Sequence, residues 1–316
     1  MSRIYNLFNR FGGKKLLLEY TRTGFLFKSI FQILASGLSD KGLEIFRLSA
    51  QRQLYNYLKK NYFQFLIEYE IHDNLDHKTS NYVWVCWFQG IDNNTPSVVK
   101  RCIQSMYDNL KKEEVILLTD ENFPNYVSLP DFIMKKYRDG IITKTHMTDI
   151  LRLELLIKYG GIWIDSTVLC TGEIPDYIQK SDLFIFQNLK PGRDGDSVAL
   201  SSWFIAAKTN NKVLMATQAL MYEYWKKNNK LINYFLIHNF LRMSLERFPD
   251  EEDRLIKFPN STPHILLLDM FKPFDSNKWD VIKSMTPIHK LAYKRTEEEM
   301  SRKGTYYDYI INQGNI

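Results

Sequence analysis

Three cysteines in 316 residues, Cys86, Cys102 and Cys170, with no CxxC spacing, leave no basis for a disulfide framework or a cysteine zinc site. Reduced, buried thiols in a cytosolic protein are expected instead. No run of about 18 apolar residues occurs, so no transmembrane helix is expected. The first residues also lack the compact apolar stretch and small-residue cleavage site of a signal peptide, which points to the cytoplasm. Neither GxGxxG nor GxxxxGK[ST] is present. The Rossmann dinucleotide fingerprint and the P-loop are thereby excluded, and any bound phosphate must be held by metal and side chains. There is no RNP, KH or zinc-finger pattern, so nucleic acid is not an expected partner. Internal repeats and low-complexity tracts are absent too.

What is present is a globular composition, 45% hydrophobic, 14% aromatic and 25% charged, enough for one large domain with a helical appendage. The formal charge of +6 is unevenly placed. Residues 1–60 hold 11 Lys and Arg against 3 Asp and Glu, a net of +8, and the remaining 31 against 33 give −2. A basic, aromatic helical region is therefore expected over residues 1–75, with the main domain at 76–316. Stretches such as GFLFKSIFQILASGL and LYNYLKKNYFQFLIEY have amphipathic spacing. Such helices can pack their apolar stripe on the main body, lie on an anionic membrane surface, or do both.

From residue 82 the pattern becomes α/β. Tyr82–Phe88 (YVWVCWF), EVILLTD at 114–120, Ile162–Val168, DLFIFQ at 182–187 and SWFIAAK at 202–208 read as strands. Helices are expected from Thr95-Pro96 to about Lys111, over Asp131–Tyr137, Thr148–Tyr159 and Lys212–Lys227, and over Leu231–Phe248. Strand, helix, strand, helices, strand predicts a sheet with mostly parallel neighbours. In such sheets ligands bind at the carboxyl ends of the strands, where Gln89-Gly90, Asp120 and Asp165 fall.

THMTDILRLELLIKYGGIWIDSTV, residues 145–168, carries the chemistry. Asp149 and Arg152 share a helix face. Gly160-Gly161 ends that helix and lets backbone approach closely. The apolar strand that follows delivers Asp165, with Thr167 two residues later on the same face. A carboxylate there must be paired or bind something.

This stretch resembles the core of sugar-transferring families with a DxD motif, most closely the capsular polysaccharide synthesis glycosyltransferases, which pair S/T-D-x-x-R on a helix with YGG-I-W-x-D. The likeness is good over about residues 82–170 and weaker through SSWFIAAKTNNK and PIHKLAYK. It implies a GT-A fold, a nucleotide-diphosphate sugar such as a UDP-sugar, and Mn²⁺ or Mg²⁺ on the diphosphate. It further implies that Asp149 and Arg152 contact donor hydroxyls, with Gly160 and Gly161 beside them. Trp84 or Trp87 would stack on the base. Asp165 and His289 would face the metal, Lys290 a phosphate, and Ser201, Ser202 and Trp203 the sugar. Asp165-Ser166-Thr167 departs from a strict DxD, since Thr167 replaces the second acid, and fewer charges hold a hard cation less firmly.

The expected activity is transfer of a hexosyl-type unit to a growing capsular or surface polysaccharide, or its lipid-linked precursor, at the inner face of the cell membrane. An inverting reaction would need a carboxylate base, for which Asp182, Asp196 and Asp269 are candidates. The rivals are a transferase acting on protein or lipid, and a non-catalytic basic adaptor binding membrane or nucleic acid.

Overall fold

The computed structural model describes residues 39–71, 76–189 and 200–315, together with Thr21, Phe31, Ala35 and Gly37. The rest of the basic N-terminal region and Asp196 lie outside the described residues. Helices are α1 (Asp40–Glu68), α2 (Ser97–Asn109), α3 (Asp131–Arg138), α4 (Lys144–Tyr159), α5 (Asp176–Gln179), α6 (Lys212–Lys227), α7 (Leu236–Arg247), α8 (Pro249–Arg254), α9 (Ile265–Asp269), α10 (Ser276–Met285) and α11 (Glu297–Ser301). Strands are β1 (Tyr82–Cys86), β2 (Glu114–Leu118), β3 (Gly161–Ile164), β4 (Val168–Cys170), β5 (Leu183–Gln187), β6 (Leu200–Ala207) and β7 (Ile288–Lys290).

The central sheet has the order β2-β1-β3-β6-β5, and β4 pairs with β7 in a separate two-stranded sheet. The α/β class expected from the sequence is observed, but the pairing is more mixed. β1 runs parallel to β2 and β3, while β6 is antiparallel to both β3 and β5. Strands β3, β5 and β6 are buried throughout, so their apolar runs carry no alternation from which direction could be read.

Both faces of this sheet are covered, and the period of two along each strand deals side chains to two cores. Trp84, Trp163 and Ile205 join one cluster with α1, α4, α6 and α7. Val83, Val85, Ile162, Ile164 and Phe204 join the other, against α2. Helix α1 opens on Ser39, whose side chain accepts from Gly42 N at 3.1 Å. Its Leu54, Tyr55, Leu58, Tyr62 and Leu66 sit in the first core. Arg247 donates to the carbonyls of Leu66 and Tyr69, and Lys59 pairs with Glu246 at 2.5 Å. For this helix the packing reading of the basic region holds.

The expected strand over 162–168 is broken in two. After Ile164 the chain turns through Asp165, Ser166 and Thr167, with Val168 N donating to Asp165 O at 3.0 Å, and leaves as β4 for the second sheet. The paired glycines stand at the opposite end of β3. Gly160 caps α4 at φ +68° and Gly161 follows at φ +92°, where a Cβ would collide with the Tyr82 carbonyl oxygen. Gly161 is needed for close packing of β3 on β1, and Gly160 for close approach to the backbone of Ala207 and Thr209 at the end of β6. As donor-binding residues they are misplaced, being at the amino end of the strand.

Candidate active site

At the carboxyl ends of β1 and β3 opens a cavity of about 500 Å³. The turn after β1 sends Trp87, Phe88 and Gln89 to its wall, and α4 contributes Lys144, Thr148, Asp149 and Arg152. Lys290, at the end of β7, and Tyr293 and Lys294 beyond it close another side. Four cationic side chains, Lys144, Arg152, Lys290 and Lys294, therefore stand with two lining carboxylates, Asp149 and Asp165, while Lys144 also pairs at 2.7 Å with a third, Asp120, just outside the lining. Thr143 makes no side-chain cap on α4, so the first N–H groups of that helix are left for another acceptor.

Asp165 is fully engaged. Its Oδ2 accepts from Lys290 Nζ at 2.9 Å, and its Oδ1 from Trp163 Nε1 at 3.1 Å, with Arg152 Nη2 at 3.5 Å. Burial by itself raises this acid's pKa, but Lys290 and Arg152 outweigh it and hold the carboxyl below the ordinary Asp value. Lys290 also donates to Thr167 Oγ1 at 2.7 Å. Arg152, only 4% exposed, is the hub behind the cavity. Its Nη1 donates to Ser202 O at 2.7 Å and lies 3.2 Å from Asp149 Oδ1, and its guanidinium stands 5.0 Å from the Trp163 ring centre. Asp149 Oδ2 meets His146 Nδ1 at 3.2 Å. Ser202 Oγ lies 3.2 Å from His238 Nε2, and burial pushes that imidazole down to about 4, Asp149 pulling weakly the other way.

Residues 38–310 match the family described as "Capsular polysaccharide synthesis protein". The chain belongs to that family. Among curated proteins it is similar to "Glycosyltransferase afumC" of Aspergillus fumigatus (strain CBS 144.89 / FGSC A1163 / CEA10), 32% identical over 103 residues, covering 30% of this chain and 26% of that one. It is also similar to "O-glycosyltransferase braB" of Annulohypoxylon truncatum, 27% identical over 162 residues, 45% of this chain and 37% of the other. The chain thus spans well under half the length of either relative. Among solved structures, "PaToxG Glycosyltransferase" aligns over 84% of this chain and 98% of that one, at 12% identity and a TM-score of 0.39.

Within this family member, Asp149, Arg152, Asp165, Ser202, Trp87 and Lys290 converge on one cavity as the sequence predicts. Other expected residues go elsewhere. Trp84 is buried among Tyr82, Tyr126 and Tyr159, its indole N–H donating to Gly160 O at 3.0 Å, so of the two tryptophans Trp87 is the one that lines the cavity. Trp203 stacks on Phe186 at 4.7 Å and donates to Asn260 Oδ1 at 2.9 Å, outside the cavity lining. Ser201 is buried and does not line the cavity either.

His289 alternates with Lys290 on β7 and points the other way. It is fully buried beside Trp279, its Nε2 3.1 Å from Thr171 Oγ1, and burial pushes its pKa down to about 4. Asp165 and His289 therefore face different compartments, which corrects the expectation that they share a metal. Of the expected bases, Asp182 pairs with Lys208 at 2.6 Å and Asp269 with Lys272 and Lys278, both away from the cavity.

The residues do not fit a protein-held divalent cation. Such an ion prefers several oxygens, and among the described residues no group of three or more His, Cys, Asp or Glu is placed to hold one. Lys144, Tyr234, His238 and Tyr293 are cavity residues that sequence reasoning did not single out. Lys144 and Thr145 lie in the first turn of α4, which begins four residues ahead of the start expected at Thr148. Tyr234 and His238 were hidden inside an expected helix, which in fact begins only at Leu236.

Proposed function

We propose that this protein is a GT-A-type glycosyltransferase that takes a sugar from a nucleotide-diphosphate donor bound in the cavity at the strand ends. The observation that carries this reading is the combination of an excess of cations and an uncapped helix start with the aromatic wall of Trp87 and Tyr293. An anionic diphosphate suits the first and a flat base the second. Trp87 is half-buried and its ring meets Tyr293 edge-on at 5.7 Å, leaving a face for stacking. Asp149, with one contact on each oxygen, keeps lone pairs that ribose or sugar hydroxyls can fill. The names of the two fungal relatives support the transfer reaction, and the family description supports a capsular or surface polysaccharide, or its lipid-linked precursor, as acceptor.

Release of nucleotide from a panel of UDP-, GDP- and CMP-sugars tests the reading. Turnover should occur with one of these donors, and Trp87→Ala should weaken its binding about tenfold at unchanged melting temperature. If no donor binds or turns over in folded protein, the reading fails.

A lipid-linked acceptor would bring the chain to the inner face of a membrane, and the net +8 of residues 1–60 supplies charge for anionic lipid. The full chain should co-sediment with phosphatidylserine vesicles at low salt and leave them as salt rises. Equal sedimentation with neutral vesicles would sink this part of the proposal.

A further inference from the structure

Lys290 stands where a cation is needed. Its ammonium has three N–H donors, of which Asp165 Oδ2 takes one at 2.9 Å and Thr167 Oγ1 another at 2.7 Å. The third remains for the cavity that Lys290 lines. Strand pairing fixes this placement, since Lys290 lies opposite Val168, directly after the Asp165–Thr167 turn, and Leu291 N donates to Thr167 O at 2.8 Å. The same contacts disfavour a divalent ion at Asp165. Its Oδ2 is spent on an ammonium, its Oδ1 is shared by Trp163 and Arg152, and position 167 supplies a hydroxyl instead of an acid. An added dication would have to share this carboxylate with two fixed positive charges.

We infer that Lys290 is the fixed cation that meets the donor's diphosphate, so that donor binding and transfer do not depend on a divalent metal. The inference rests on the donor-site reading above. In the transfer, the bond from the sugar's anomeric carbon to the phosphate oxygen breaks and its electron pair passes to the diphosphate. The acceptor hydroxyl oxygen forms the new bond to that carbon and its proton leaves to solvent. Lys290 donates its remaining N–H to the oxygen on which charge grows. Asp165 and Thr167 act as positioning residues for that ammonium.

The test is calorimetric binding of UDP and GDP to chelator-stripped full chain, with and without added Mn²⁺ or Mg²⁺. Affinity for the preferred nucleotide should change by less than about fivefold on adding metal, whereas Lys290→Ala should weaken binding about tenfold or more in both conditions, with Lys290→Arg restoring most of it. A metal-induced gain above about fivefold in the wild type, or unchanged binding by folded Lys290→Ala, overturns the inference. The wild-type comparison decides the matter even if Lys290→Ala does not fold. Failure of both nucleotides to bind with or without metal would instead overturn the donor-site reading, and this inference with it.

Discussion

Arg152→Ala is expected to destabilise the protein by about 3–5 kcal/mol, because it strands carboxylates whose partner is buried. Asp149 would lose its guanidinium contact at 3.2 Å and Ser202 O its donor at 2.7 Å, while Asp165 would keep only Lys290 and Trp163. In a chain of this size that corresponds to roughly 6–10 °C in melting temperature. Transfer should fall with it, since Asp149 and Asp165 are oriented from behind by this one side chain. Arg152→Lys should recover little of either property, because an ammonium cannot reproduce a fork that reaches Asp149, Asp165 and Ser202 at once. Thermal melts beside donor turnover check this. A lysine variant with wild-type melting and turnover would show that the fork is unnecessary.

Asp165→Asn is expected to cut transfer by at least about 100-fold and to lower stability by about 1–2 kcal/mol. An unpaired acid at a strand end would be relieved by neutralisation, and the asparagine variant would then melt higher. Asp165 is not unpaired. It sits between Lys290 and Arg152, so removing its charge leaves two cations facing each other across the site. The loss is smaller than for a fully buried pair because the Asp165 side chain is 30% exposed. The pH dependence follows from the lowered pKa. The unfolded chain binds this proton near the ordinary value of about 3.9, and the folded chain only below it. The contribution of Asp165 is therefore complete above about pH 4–5 and lost as pH falls through the folded value. Melting curves of wild type and Asp165→Asn should converge on acidification; a constant gap would mean the charge contributes nothing.

Much of this was readable from residues alone. Helix α6 runs over Lys212–Lys227 as its pattern predicts, because Asn211 accepts from Val213 N and Leu214 N at 3.1 and 3.2 Å and fixes its start. That Asp149 and Arg152 share a face followed from helix periodicity, while their meeting with Asp165 was implied by the likeness of this stretch to the family. What could not be read was which side of a short strand faces the cavity. His289 and Lys290 are neighbours in sequence, and only the pairing of β7 with β4 puts the lysine beside Thr167 and the histidine beside Trp279. The break between β3 and β4 was hidden for a similar reason. Ile162–Ile164 and Val168–Cys170 are equally apolar, and only the polar Asp165-Ser166-Thr167 between them marks the change of sheet.

The contact between Lys290 and Asp165 joins residues 125 positions apart in the chain. The last strand of the central sheet ends at Ala207, long before Lys290 is added. A nascent polypeptide emerging from the ribosome can therefore close its five-stranded sheet while Asp165 still lacks its lysine. During that interval the cavity proposed to take the donor lacks the wall that Lys290 supplies. Synthesis through β7 is what completes that wall, so a fragment arrested before Lys290 should be inert however well its sheet has formed.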